Sequence, residues 1–213
     1  VVVVRGYRGA SLHVPHVRYY DTPGYAEGGA LARLFQASLE LKGRVIVLYG
    51  DILFDRSVLE KLLKAPGDVT IVGDRAWRDS APADGARPDL VVEESAPASH
   101  RRYLPDGEPR RILSIGRKVD PEAATSEFIG LLMLTDRGCQ LVREAYRDAL
   151  ERTPARPWHE ADTVRAASVT DLVQEIIDRG HEVSAVDIYK GWMEIDTFED
   201  YQRAWATAES RSA

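Results

Sequence analysis

The chain has 213 residues, 44% hydrophobic and 29% charged, with a formal net charge of −6, the composition of an ordinary soluble globular protein with room for one large domain or two small ones. No stretch approaches the roughly 20 uninterrupted apolar residues of a membrane-spanning helix, and no basic stripe with interleaved aromatics supplies the clustered Lys and Arg that nucleic-acid binding requires. Cys139 is the only cysteine, which excludes an intramolecular disulfide and a cysteine zinc site and fits a reducing cytoplasm.

Val1-Val2-Val3-Val4 reads as a fully buried strand, a pattern that seldom starts a domain at a bare terminus, so a segment ahead of it is expected. Arg5-Gly6-Tyr7-Arg8 follows at once, without the basic region and small-residue cleavage site of a secretory signal. Residues 17–20 form a short strand, and DTPGYAEGG is turn-rich. Residues 30–41 place Leu31, Leu34, Phe35 and Leu39 on one helical face, and 44–49 form a buried strand. Asp55 caps a second helix bearing Val58, Leu59, Leu62 and Leu63 and stopped by Pro66-Gly67; a strand over 68–72 follows. Strand, helix, strand, helix, strand over 1–74 predicts a parallel sheet with crossover helices.

Residues 75–88, rich in Ala, Pro, Asp and Gly, read as a mobile loop. Strand-like pieces at 90–93, 101–104, 111–115 and 128–134 predict an antiparallel, β-rich insertion over 75–135. Arg101-Arg102 and Arg110-Arg111 flank the turn-like LPDGEP and read as solvated hairpin ends. Asp136 caps a helix to about residue 150, TPARPW interrupts, and Thr170 or Asp171 caps a helix closed by Gly180. A last strand covers 183–188, and Thr197 opens a final helix through Tyr201 and Trp205. The predicted class is α/β, mostly parallel, flanked by helices, as a single domain over 1–213.

In VLYGDILF a carboxylate, Asp51, separates two apolar runs. Burying it alone would cost several kcal/mol, but ligands in open α/β sheets gather beyond the carboxyl ends of strands. There Gly50 lets the chain turn and Asp51 can face a crevice; the competing reading is a helix cap or a turn. GWMEIDTFEDY sets Glu194 and Asp196 after the last strand, pointing the same way along an extended segment. Thr197 with Asp200 three residues on makes a capping-box variant, which leaves Asp196 uncommitted. Two Asp residues at a crevice suit Mg²⁺, which takes one or two protein carboxylates and completes its shell with water and phosphate oxygens.

Together, YGDILF (49–54), EFIGLLMLTDRG (127–138), TDLVQEIID (170–178) and GWMEIDTFEDYQRAW (191–205) resemble nucleotidyltransferases of the sugar-phosphate and phosphocholine type. They look most like the cytidylyltransferase domains found beside phosphoenolpyruvate mutase in phosphonate (fosfomycin-type antibiotic) biosynthesis. The resemblance implies a Rossmann-like nucleotidyltransferase fold and transfer from CTP to 2-hydroxyethylphosphonate or 2-aminoethylphosphonate, with release of pyrophosphate. It implies Mg²⁺ on Asp51 and Asp196, Tyr49, Gly50, Glu27 and Gly28 beside the nucleotide, and Glu127, Gly130, Trp192 and Glu194 around the acceptor. Lys118 best matches the lysine expected near the acceptor phosphate, with Arg117 as rival and an exposed surface lysine as the plain alternative; Trp192 closes the acceptor site or is a core aromatic. A partner or fused phosphoenolpyruvate mutase domain, a cytoplasmic location and room for a homo-oligomer go with this reading.

One element departs from the resemblance. The first strand and Gly-rich loop of the LAAGxGxRL type, which holds the triphosphate, are absent, and Gly28-Gly29 lacks the Arg and the strand to replace them. Either the chain lacks these parts or it is a remnant that binds a partner without transferring nucleotides. The alternatives are therefore a phosphocholine or sugar-1-phosphate transferase, with Trp77, Tyr103, Trp158 and Trp192 as members of a choline cage, or a non-catalytic nucleotide-binding or assembly domain. His13-x-x-His16, broken by Pro15, and His159-Glu160-Ala161-Asp162, in a Pro-rich loop, read as incidental. No G-x-S-x-G elbow is present, and Cys139 reads as structural.

Overall fold

The computed structural model describes residues 1–79, 87–94, 109–153 and 155–212. The strand expected at 101–104, the Arg101-Arg102 hairpin end, Tyr103 and half of the 75–88 loop lie outside these residues. In chain order come β1 (Val2–Arg5), β2 (Arg18–Asp21), α1 (Ala30–Leu34), β3 (Val45–Leu48), β4 (Ile52–Phe54), α2 (Arg56–Lys64) and β5 (Val69–Asp74). Then follow β6 (Leu90–Glu93), β7 (Arg110–Gly116), β8 (Ser126–Leu134), α3 (Asp136–Arg152), α4 (Val169–Asp178), β9 (Ser184–Ile188), β10 (Trp192–Glu194) and α5 (Phe198–Ser212).

The main sheet has the order β3-β8-β5-β9-β7-β6, and it is mixed rather than mostly parallel. The α2 crossover does make β3 and β5 run the same way, but β8 lies antiparallel between them. Within this sheet, among the described residues, only β5 and β9 pair in parallel. β6 returns to the start of β8, Leu90 opposite Glu127 and Val91 opposite Ser126, so β8, β5, β9, β7 and β6 close into a small barrel. A register shift between Ile71 and Gly73 in β5 bends the ladder toward that closure.

β8 is the central strand, and its apolar run reflects cover on both faces. Phe128, Leu132 and Leu134 belong to the core under α1, α3 and α4, whereas Ile129, Leu131 and Met133 belong to the core under α2. Alternate side chains of one strand thus feed two cores. Helix α2 presents Val58 and Leu62 to the second core, while Leu63 is exposed.

Several local expectations shift. The valine run is not fully buried: Val1 is 91% and Val2 37% exposed, because among the described residues β1 pairs only with β2, in parallel, as a separate two-stranded ribbon. The helix expected over 30–41 is α-helical only through Leu34 and then passes into a 3₁₀ segment, Phe35–Glu40, with a kink at Ala37. The caps of α3 and α4 fall earlier than expected: Thr135 accepts the Gly138 N–H, and Ser168 with Asp171 forms a reciprocal capping box. Arg110 is no solvated hairpin end; with Arg75 it approaches Glu93 and Asp187, and the Glu93 side chain is fully buried and also accepts from Ser126 Oγ at 2.8 Å.

Leu62 is fully buried at the centre of the α2 face. Leu62→Ala is expected to cost about 2–5 kcal/mol, measured as a lowered denaturation midpoint in urea.

Candidate functional site

The site is built where two ladders hand over. The Tyr49 N–H donates to the Gly130 carbonyl at 3.0 Å, extending the pairing of β3 with β8 by one residue. Two residues later the chain enters β4, which pairs antiparallel with β10 as Trp192–Phe54, Met193–Leu53 and Glu194–Ile52. The Ile195 N–H then donates to the Asp51 carbonyl at 2.8 Å. That bond sets the chain around Asp51 against the chain around Asp196, though 145 positions separate them (196 less 51). Ligand oxygens of Asp51, Glu194 and Asp196, all exposed, lie within 4.8 Å of one another. Three hard oxygen donors at this spacing fit Mg²⁺, which binds through few carboxylates and otherwise keeps water or phosphate oxygens.

Thr197 and Asp200 start α5 as the spacing suggests: the Asp200 carboxylate accepts from the Thr197 N–H and hydroxyl, and the Asp200 N–H donates to Thr197 Oγ1. These bonds hold the Asp200 carboxyl down at about 2. The cap is thus served by Asp200, and the side chain of Asp196 belongs to the cluster.

Two cavities meet at this cluster. The first, about 900 Å³, is lined by β1, α1, β3, Asp51, Asp89, Arg117 and Glu194 among others. The second, about 1270 Å³, is lined by Asp74, Trp77, Glu127, Gly130, Trp192, Asp196 and neighbours. Tyr49, Asp89, Arg117 and Glu194 line both. Tyr49 is fixed edge-on against Phe128, and burial pushes its hydroxyl pKa up. Gly130 has φ +80°, and a Cβ there would stand 2.6 Å from the Tyr49 ring, so this glycine admits the ring.

Acid crowds the second cavity. Burial, then Asp74, Glu194 and Asp89, push the Glu127 carboxyl up to about 7. Partial burial, then Asp196 and Asp51, raise Glu194. Asp89 is raised by burial and partly restored by Arg117, whose Nε lies 3.4 Å from its Oδ1. Asp74, almost fully buried, accepts from the Ala76 and Lys190 N–H groups and from Trp192 Nε1 at 2.9 Å. Trp192 is therefore pinned at its edge, packed on the second core and facing the cavity at once.

Of the residues expected in the site, Asp51, Asp196, Tyr49, Gly50, Glu127, Gly130, Trp192 and Glu194 line these cavities. A Cβ on Gly50 would meet nothing within 4 Å, so no steric need explains that glycine. Glu27 and Gly28 line neither cavity. The adjacent Gly29 instead packs its backbone on the carbonyls of Ala166 and Ala167 and donates to the Arg165 carbonyl, docking the start of α1. Lys118 lines a separate hollow of about 330 Å³, and its rival Arg117 enters the site. Trp158 is buried in the first core, away from any cage; Trp77 and Trp192 share the second cavity. Sequence reasoning missed Asp74 and Asp89. Asp74 carried a signal, since TIVGD ends its strand in the same way as VLYGD.

No protein-family model matches this sequence, and no curated protein does either. Solved structures do match. An inositol-1-phosphate CTP transferase from T. maritima superposes with a TM-score of 0.62 at 18% identity, covering 93% of this chain and 70% of that one. A CTP:phosphocholine cytidylyltransferase from Streptococcus pneumoniae gives 0.55 at 14%, covering 90% and 69%. A nucleoside-diphosphate-sugar pyrophosphorylase from Vibrio cholerae gives 0.59 at 12%, covering 95% and 78%. The chain thus has the α/β fold shared by these nucleotidyltransferases.

Glu127 makes one consequence measurable. The folded protein holds its carboxyl proton more tightly than the unfolded chain does, so stability falls as pH rises from the ordinary glutamate range through about 7. In metal-free buffer, Glu127→Gln is expected to gain stability over wild type progressively between about pH 5 and 8, with no further gain on going more acidic. Urea denaturation across that range is the check.

Proposed function

We propose that this chain is a Mg²⁺-dependent nucleotidyltransferase that joins the cytidylyl group of CTP to a small phosphonate, 2-aminoethylphosphonate or 2-hydroxyethylphosphonate, and releases pyrophosphate. The observation that carries the transferase reading is the triad Asp51, Glu194 and Asp196 at the seam between two cavities. One cavity would take the nucleotide and the other the acceptor. The phosphonate reading draws on the motif resemblance.

In this reading an acceptor oxygen attacks the α-phosphorus of CTP, the bond to the β-phosphate oxygen breaks, and pyrophosphate leaves. The acceptor is already ionised near neutral pH, so no general base is needed, and rate comes from alignment and charge stabilisation. Asp51 and Asp196, with Glu194, would hold Mg²⁺, which supplies charge neutralisation at the phosphates. Arg117, rather than Lys118, would meet the transferred phosphoryl, a reading supported by its lining both cavities while Lys118 lines neither. Tyr49 walls both compartments, and Trp192 with Glu127 shapes the acceptor side.

Among the described residues β1 bonds only β2 and β3 bonds only β8, and both line the first cavity. An added strand would thus find an open edge on either, beside the cavity that Asp51 lines.

A second reading has its own support. Trp77 and Trp192 beside Asp74 and Glu127 suit an acceptor with a cationic head, which favours phosphocholine over sugar 1-phosphates and the amino over the hydroxy phosphonate. Pyrophosphate release with CTP, UTP, ATP and GTP against both phosphonates, phosphocholine and sugar 1-phosphates ranks these acceptors. Absence of release, with no thermal shift from any nucleotide with Mg²⁺, would leave the non-catalytic assembly domain. Asp51→Asn and Asp196→Asn are each expected to lower Mg²⁺-dependent turnover by about two orders of magnitude or more with the melting temperature nearly unchanged. Full activity in either variant would remove the metal assignment.

A further inference from the structure

The segment His159-Glu160-Ala161-Asp162 has no metal role to explain it, yet Glu160 is heavily engaged. Its Oε2 accepts the Arg117 N–H at 3.0 Å and its Oε1 the Lys118 N–H at 2.7 Å. A Cβ on Gly116, at φ +146°, would lie 2.5 Å from Glu160 Oε1, so a glycine is what lets the carboxylate come this close. Glu160 is itself anchored: its N–H donates to Asp171 Oδ1 at 2.9 Å, and Asp171 is the reciprocal partner in the capping box that starts α4. The chain of contacts runs from a helix cap through one carboxylate to the turn that carries Arg117.

Arg117 needs that support. Its side chain is 65% exposed and approaches Asp89 at 3.4 Å, so packing alone does not fix it. Among the described residues it is the one cation that lines both cavities. Two charge-assisted bonds to successive main-chain N–H groups hold a turn far more tightly than side-chain contacts on an exposed arginine.

We infer that Glu160 is a positioning residue, whose carboxylate clamps the main chain at Arg117 and Lys118 and so holds the Arg117 guanidinium over the seam where phosphoryl transfer occurs. The inference rests on the transferase reading of the site, and its physical half, the clamp, stands on the geometry alone. The two N–H groups are met by separate oxygens of the carboxylate, whereas glutamine in the same pose would turn its own N–H₂ toward one of them.

The test compares wild type, Glu160→Ala, Glu160→Gln, Arg117→Ala and the Arg117→Ala/Glu160→Gln double variant. Steady-state kinetics with CTP and the best acceptor are combined with amide hydrogen exchange by NMR. Glu160→Gln keeps shape and volume and guards against a folding failure of the alanine variant. The expected result is a fall in kcat of about ten- to a hundredfold for Glu160→Gln, with little change in the KM for CTP. The Arg117 and Lys118 amides should exchange faster in that variant, and the double variant should be no slower than Arg117→Ala alone. Losses that multiply in the double variant, or unchanged exchange at 117 and 118, would overturn the inference. A wild type that transfers no nucleotide to any acceptor sinks the transferase reading and the role in turnover together, while the exchange result still decides for or against the clamp.

Discussion

A single main-chain contact, the Ile195 N–H on the Asp51 carbonyl, governs the geometry of everything functional in this chain. It closes the short ribbon of β4 and β10 and converts two distant acidic motifs into one cluster. Carboxylates repel, so no attraction between them draws these side chains together. Backbone hydrogen bonding does, and the accumulated negative charge is the cost that a bound cation would relieve. The ribbon is short, but Ile52 and Trp192 root it in the core under α2, which keeps the cluster in place.

Charge is distributed around that cluster with a clear gradient. Glu127, Glu194 and Asp89 all have raised carboxyl pKa values, each with burial as the first cause and neighbouring acids adding to it. Arg117 is set against Asp89 at the point where the cavities join. An arrangement of this kind favours ligands that bring their own positive charge, whether a metal with its phosphates or an acceptor with an ammonium group. It disfavours a bare anion.

Much of this was legible in the residues. Asp51 stood out because it ends an apolar run at a strand end, and Asp196 because the helix after it has its cap in Thr197 and Asp200. The helices with strong apolar faces, α2, α3 and α4, were readable for the same reason that they fold: one face of each is buried. What failed was long-range pairing. A strand of three residues such as β4 or β10 has no periodicity to detect, and nothing local says that β8 inserts antiparallel between β3 and β5. The residues placed 128–134 in an antiparallel insertion, and a run apolar on both faces does not say which strands of the main sheet it separates. The valine run misled in the opposite direction, since propensity for extended structure does not specify a neighbour. Trp158 was read as a cage member and Glu160 as incidental, because a proline-rich stretch hides the core packing and main-chain contacts that only the folded chain supplies.

The ionic group inside the small barrel has a consequence for how this protein can change over time. Glu93 is wholly enclosed and is matched by Arg75 and Arg110, with Asp187 completing the set. Losing one member would strand an opposite charge away from water, a far harsher event than losing the whole set to apolar residues of similar size. A change at one of these four positions is therefore better tolerated with a compensating change at another. Since Asp74 and Glu127 pair with each other near the ends of strands in that same barrel, the lining of the second cavity is mechanically tied to this ionic group.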